Sequence, residues 1–205
     1  MRWHKFRMEQ APKLPPVPRP ESSSFISSLR RELRGWARDL LLAIGLAMVI
    51  IVFFYQPVKV EGTSMAPLLS DQERIFINKF VYRLEPIGRG DVVVFWYPLD
   101  RSKSFIKRVV GLPGDTVEIR QGRVIVNGQR LKEPYLPGRP ADWTTYGPLR
   151  VPPEEYFVLG DHRASSNDSR VFGPVHNRYI YGKAVFAYWP MSRFGAIPDS
   201  VQASP

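Results

Sequence analysis

Residues 105–128 have the sequence FIKRVVGLPGDTVEIRQGRVIVNG, in which short runs rich in valine and isoleucine are separated by turn residues. Pro113-Gly114-Asp115 is typical of a turn between strands. Asn127-Gly128 favours a hairpin, because both residues tolerate positive φ. The same pattern continues on either side and predicts strands at Val58–Val60, Arg74–Phe80, Asp91–Tyr97, Phe105–Gly111, Thr116–Arg120, Arg123–Val126, Tyr156–Gly160 and Lys183–Trp189. We therefore expect an all-β domain over residues 56–205, with the proline-rich residues 120–153 forming a smaller insertion.

The composition excludes several kinds of site. The chain has 205 residues, no cysteine and three widely spaced histidines, at positions 4, 162 and 176. Disulfides, thiolate nucleophiles and cysteine-bound metals are excluded, and the spacing of the histidines argues against a zinc site. No metal or other cofactor is expected.

The N-terminal region divides into a polar tail and an apolar segment. Residues 1–35 are basic and rich in proline and serine, and we expect residues 1 to about 28 to be disordered. Residues 40–55, LLLAIGLAMVIIVFFY, contain no charge, and residues 36–55 together are long enough for a transmembrane anchor. A cleavable signal peptide is the alternative, but the sequence after Tyr55 offers no small-x-small cleavage site.

The net charge of +10 supports a membrane topology. Residues 1–39 hold nine basic and four acidic residues, which leaves 20 basic and 15 acidic residues for the rest, so each part carries +5. Four arginines, at positions 30, 31, 34 and 38, precede the apolar segment. By the positive-inside rule they place the N-terminus in the cytoplasm and residues 56–205 on the outer face. The β domain has no basic helix or stripe, so no nucleic-acid partner is expected.

Three polar clusters in the β domain are candidates for chemistry. Ser64 lies in the turn GTSMAP, where it is either a presented nucleophile or an ordinary turn serine. Lys107 shares a strand face with Phe105 and Val109, so it either loses hydration and becomes a base or extends to water. The loop 160–170, GDHRASSNDSR, is either part of a site or a structural loop held by an ion pair.

Together, TSMAP, FIKRVVGLPGD and GDHRASSNDSR, in this order after an N-terminal anchor, resemble the sequence boxes of bacterial type I signal peptidase. The resemblance covers the anchor and most of residues 56–190. It implies a mainly β fold of coiled antiparallel sheets and a serine endopeptidase that removes signal peptides after an Ala-x-Ala site.

The resemblance also implies residue roles. Ser64 matches the nucleophile, Lys107 the general base, and Ser166 a serine that hydrogen-bonds and orients the lysine. Asp168 and Arg170 match a salt-bridged pair, with Asp161 and Arg163 in supporting positions, whereas His162 matches no role. Positions that match the lining of the substrate pockets are Val58, Val60, Met65, Leu69, Phe105 and Ile106.

One departure concerns the oxyanion hole. Many Gram-negative members have a serine two residues before the nucleophile, and this chain has Gly62 there. Because glycine has no side-chain donor, the oxyanion would depend on the Ser64 N–H and another main-chain donor.

The implied partners are preprotein signal peptides, membrane lipid and, by proximity, the secretion translocon. The implied location is the bacterial cytoplasmic membrane, or a thylakoid membrane in a photosynthetic source. Exposed aromatic residues near Phe80–Tyr82 or Trp96–Leu99 are candidates for contact with lipid. Two alternatives remain open: a self-cleaving Ser-Lys protease, and a membrane-tethered β domain that binds partners without catalysis.

Overall fold

The structure, a computed structural model, describes residues 22–136 and 142–199. The chain divides into two compact units, between Ala47 and Met48. The first helix, α1 (Ser22–Phe54), crosses this division. Within it, Glu32–Phe54 is long and apolar enough to span a membrane, and none of its most apolar 18-residue window is buried.

The expected disorder of residues 22–28 is wrong, because α1 already begins at Ser22. Serine weakens a helix through competing local hydrogen bonds, but its propensity penalty is small beside the long helix-favouring segment that follows. The remainder of the expected tail, residues 1–21, lies outside the described residues.

The described part of the second unit is mainly β, as the sequence predicts. Its strands are β1 (Tyr55–Lys59), β2 (Arg74–Asn78), β3 (Val92–Tyr97), β4 (Asp100–Gly111), β5 (Thr116–Arg120), β6 (Arg123–Val126), β7 (Gln129–Arg130), β8 (Tyr146–Arg150), β9 (Glu155–Leu159), β10 (Val175–His176), β11 (Ile180–Trp189) and β12 (Gly195–Ala196). Two one-turn helices accompany them, α2 (Val81–Leu84) and α3 (Ser169–Phe172), with 3-10 turns at Arg163–Ser165, Asn177–Tyr179 and Met191–Arg193.

The strands form two antiparallel sheets. The larger has the order β1-β2-β11-β3-β4-β9-β10, with β12 added beside β11, and the smaller has the order β7-β6-β5-β8. The hairpin expected at Asn127-Gly128 forms between β6 and β7, and both residues adopt positive φ, 52° and 80°. The smaller sheet occupies the region where an insertion was expected, although it begins at Thr116 and not at Arg120.

Three apolar clusters make up the core of this unit. One contains Val60, Met65 and Leu69 together with side chains of β2, β3 and β11. A second fills the smaller sheet and extends to Phe157 and Leu159. The third contains Val93, Phe95 and Val109, with Phe105 and Phe172 packed against it. The segments that hold Ser64 and Lys107 are therefore both fixed by core packing.

Candidate active site

The turn that carries Ser64 belongs to a closed loop over residues 60–73. The Val60 N–H donates to the Glu73 carbonyl, 2.7 Å, and the Gln72 N–H donates to the Val60 carbonyl, 2.9 Å. Inside the loop, Met65 and Leu69 are buried in the first core cluster. Met65 and Leu69 fix the chain on the C-terminal side of Ser64 against the core, and the Ser64 hydroxyl is held where it contacts Lys107.

Gly62 makes this turn possible. Its φ is +87°, a left-handed value at which a residue with a Cβ is strained. Its N–H donates to the Asp71 carboxylate, 2.8 Å, across the loop. The Ser64 N–H has no hydrogen-bond partner among the described residues, so a main-chain donor lies directly at the candidate nucleophile.

Lys107 lies in the middle of β4, paired with Val93 of β3. The residue is 4% exposed. Its Nζ donates to Ser64 Oγ, 2.8 Å, and to the Ile106 carbonyl, 2.9 Å. The Nζ also lies 5.2 Å from the centroid of the Phe105 ring. The Lys107 side chain therefore does not extend to water in this structure, which excludes that alternative for the conformation described.

Burial changes the proton affinity of this amine. Desolvation lowers the pKa of Lys107 to about 8, although the carboxylates of Asp168 and Asp161 oppose the shift. A lysine in water has a pKa near 10.4, so at neutral pH this site holds far more neutral amine than an exposed lysine would.

Ser166 lies near the Ser64 segment but does not make the hydrogen bond that was expected. Its Oγ is buried and has no hydrogen-bond partner among the described residues, so the expected bond to Lys107 is absent from this structure. A Cβ at Gly160 would lie 2.1 Å from Ser166 Oγ and 2.5 Å from the Ser64 carbonyl oxygen. Glycine at 160 thus allows the two serine segments to approach, and the role of Ser166 stays a prediction.

Asp168 and Arg170 form the ion pair that was expected. Arg170 Nε donates to Asp168 Oδ1, 2.8 Å, and Arg170 Nη1 also donates to Asp142, 2.6 Å. Asp168 is fully buried and accepts the N–H of Gly160, 3.1 Å, so it ties the end of β9 to this loop.

The ion-pair partners of Asp161 and Arg163 lie outside the loop. The guanidinium of Arg108 makes a two-pronged pair with Asp161, 3.0 and 2.8 Å, and neither side chain is exposed to solvent. Arg163 pairs with Glu133 of the smaller-sheet region. Sequence reasoning missed Arg108 and Glu133, although Arg108 carried a signal: it alternates with Ile106 onto an apolar strand face.

His162 contacts the Ser64 turn mainly through its backbone. Its N–H donates to the Ser64 carbonyl, 3.0 Å. Its ring Nδ1 lies 3.3 Å from the Thr63 carbonyl oxygen. The chain at 161–162 therefore connects the buried Arg108 pair with the turn that presents Ser64.

The six residues expected to line substrate pockets fall into two groups. Val60, Met65 and Leu69 are 4%, 2% and 1% exposed, so they form core or, at most, a pocket floor. Val58, Phe105 and Ile106 are partly exposed and remain available to a substrate. Among the described residues no group of three or more His, Asp or Glu side chains could hold a metal ion.

Residues 33–189 match the family described as signal peptidase, peptidase S26. A probable signal peptidase I-2 from Synechocystis is 39% identical over 171 residues, covering 80% of this chain and 77% of the relative. A signal peptidase I from Bacillus amyloliquefaciens is 35% identical over 175 residues, covering 81% and 93%. The crystal structure of a signal peptidase I from Enterococcus faecalis is 32% identical, covers 48% of this chain and 97% of its own, and has a TM-score of 0.43.

We expect Arg108→Met to lower the free energy of unfolding by about 3–5 kcal/mol, because it leaves the Asp161 carboxylate buried without its partner. Chemical denaturation followed by circular dichroism measures this. Adding Asp161→Leu should recover part of the loss, since the unpaired charge is then removed.

Arg120→Met is the matched control. Arg120 pairs with Glu118 on the surface, where an ion pair contributes little, so its stability should stay near that of the parent. Equal losses in the free energy of unfolding for Arg108→Met and Arg120→Met would contradict the role given to the buried Arg108–Asp161 pair.

Proposed function

The chain belongs to the signal peptidase family, peptidase S26, and from this premise we propose that it is a membrane-bound serine endopeptidase with Ser64 as nucleophile and Lys107 as general base. The observation that carries the proposal is the 2.8 Å contact between Lys107 Nζ and Ser64 Oγ in a buried site. A neutral amine at this distance can accept the hydroxyl proton as the oxygen attacks.

The reaction follows from these groups. Ser64 Oγ attacks the scissile carbonyl carbon and transfers its proton to Lys107. The Lys107 ammonium then protonates the leaving amine as the peptide C–N bond breaks, which leaves an acyl ester on Ser64 and a neutral lysine. Water, deprotonated by Lys107, hydrolyses the ester and restores the hydroxyl.

The oxyanion formed during attack needs main-chain donors. The unpartnered Ser64 N–H is the first of them. Gly62 contributes shape and not a donor, because its own N–H is occupied by Asp71. Ser166, whose Oγ is buried and unpartnered among the described residues, remains a proposed support that would orient Lys107 through a hydrogen bond to the amine.

The substrate we propose is an extended preprotein segment with small residues of Ala-x-Ala type before the cut. Residues 104–107 of β4 pair with β3 on one side, whereas pairing with β9 begins at Arg108. Among the described residues the other edge of β4 at 105–107 has no strand partner, so an extended peptide can add there. The partly exposed Val58, Phe105 and Ile106 would contact its side chains.

We further propose the domain division and topology that the sequence predicts: a basic N-terminal tail in the cytoplasm, one span, and the catalytic domain on the outer face of a bacterial membrane. The apolar stretch Glu32–Phe54 and the arginines at 34 and 38 support this. A thylakoid location and proximity to the translocon rest on the resemblance alone.

Ser64→Ala and Lys107→Ala should each abolish cleavage of a precursor with an Ala-x-Ala site, because each removes one partner of the proton transfer. Lys132→Ala, at an exposed lysine, should cleave like the parent. Appearance of the mature product on a gel measures this. Equal processing by all of these proteins would rule out the pair, and no processing by the parent would favour a binding domain without catalysis.

The rate should fall on the acid side with an apparent pKa near 8. The base must be neutral to accept a proton, and the Lys107 amine, with a pKa of about 8, is neutral above this pH and charged below it. A pH profile of kcat/KM in detergent micelles measures the limb. An apparent pKa near 10, as for a solvated lysine, would contradict the conclusion that burial lowers the pKa of Lys107.

Contact with lipid is proposed for the hairpin between β3 and β4, and not for Phe80–Tyr82. Trp96 and Leu99 are 42% and 73% exposed, whereas Tyr82 donates its hydroxyl to Asp91 and is half-buried. Brominated lipids should quench the fluorescence of the reconstituted protein less after Trp96→Phe than after Trp143→Phe. Equal quenching in the two variants would refute this contact.

A further inference from the structure

We propose that Arg193 is a positioning residue for Ser64: its guanidinium holds the nucleophile turn against the sheet that carries Lys107. The inference rests on the Ser64–Lys107 pair proposed above and adds a residue from the C-terminal segment, which carries no signature in the sequence.

The first observation is the grip of Arg193 on the loop of residues 60–73. Its Nη2 donates to the carbonyl oxygens of Pro67 and Leu68, the latter at 2.7 Å. These carbonyls have no other hydrogen-bond partner among the described residues. The two N–H bonds of Nη2 can reach both carbonyls while Nε stays available for a further acceptor, a planar arrangement of donors that a lysine ammonium group lacks.

A second contact anchors the same guanidinium at the base of the loop. Arg193 Nε lies 3.2 Å from Glu73 Oε2, and Glu73 is 1% exposed. The same carboxylate accepts the Ser70 N–H, 2.7 Å. A buried carboxylate needs a charged or hydrogen-bonding partner, so Glu73 also fixes where Arg193 lies.

The segment around Arg193 is attached to the main sheet. Phe194 packs edge-on against Phe186 of β11, with 4.8 Å between ring centroids. β12 pairs with β11, and Ile197 is buried in the first core cluster. Arg193 therefore projects from a fixed part of the sheet and not from a free chain end.

The sheet continues directly to the general base. Lys183 of β11 is opposite Val93 of β3, and Val93 is opposite Lys107 of β4. Arg193 thus attaches the Ser64 turn to the same sheet that fixes Lys107. A displacement on the order of 1 Å between reacting groups can cost about 100-fold in rate, so we expect loss of this attachment to slow the reaction.

The test measures cleavage of an Ala-x-Ala precursor by the full chain in detergent micelles. We expect Arg193→Met to lower kcat about tenfold or more, with KM within about twofold, because the strand edges that would bind substrate are unchanged. The kcat of Arg193→Lys should lie between those of Arg193→Met and the parent. Rates are divided by the folded fraction from circular dichroism. Arg123→Met, at an exposed arginine of β6, is the control and should match the parent.

The double variant Glu73→Gln/Arg193→Met separates positioning from stability. Removing the buried charge should restore the melting temperature that Arg193→Met loses, but kcat should stay low, since the Pro67 and Leu68 carbonyls are still not held. Recovery of kcat together with the melting temperature would overturn the proposal, as would an Arg193→Met kcat within twofold of the parent. If Arg193→Met does not fold, the double variant alone decides. Inactivity of the parent and of Arg123→Met would instead refute the proposed function.

Discussion

The buried pair of Arg108 and Asp161 is the interaction on which the arrangement of the site depends. Both side chains are fully buried, and Arg108 also donates to the Gly90 carbonyl, 2.9 Å, with its guanidinium 4.0 Å from the Tyr135 ring centroid. Such a pair gives little net stability over an apolar core, but an unpaired partner is very unfavourable. A slip of β4 by one residue would exchange Lys107 and Arg108 between the two faces of the strand. The pair therefore favours one register, the one in which Lys107 reaches Ser64.

The same alternation explains why two adjacent basic residues differ so strongly. The Arg108 guanidinium is surrounded by acceptors, the Asp161 carboxylate and the backbone carbonyls of Gly90 and Pro198. Lys107 faces Phe105 and the third core cluster, and the nearby carboxylates do not make hydrogen bonds to its Nζ. Desolvation then exceeds the attraction to those carboxylates and lowers the pKa of the lysine. The local sequence places the lysine, and its surroundings determine its chemistry.

The sequence predicts most of the larger sheet and the two central residues of the site. All eight expected strands are present, because each combines β-branched residues with clear turn signals. It misses β8, whose sequence YGPLR contains glycine and proline, and the two-residue strands β7, β10 and β12, which are too short for a periodic pattern. The partners Glu133 and Asp142 lie about 30 residues from the arginines that they pair with, in a segment without a motif. Nothing local in the sequence specifies such contacts.

The C-terminal segment also makes contacts that the sequence does not predict. Residues 191–199 have no recognisable pattern, yet they supply Arg193 to the Ser64 turn and Asp199 to Lys183, 2.6 Å. Lys183 also pairs with Asp91, just before β3, 2.8 Å, so residues 191–199 are attached to the strand next to β4, which carries Lys107. Ser64 and Lys107 are thus each held by partners distant in sequence: Ser64 by segments near residues 162 and 193, Lys107 by the register that residue 161 fixes. The motifs contain Ser64 and Lys107, whereas the distance between these two residues also depends on contacts with residues outside the motifs.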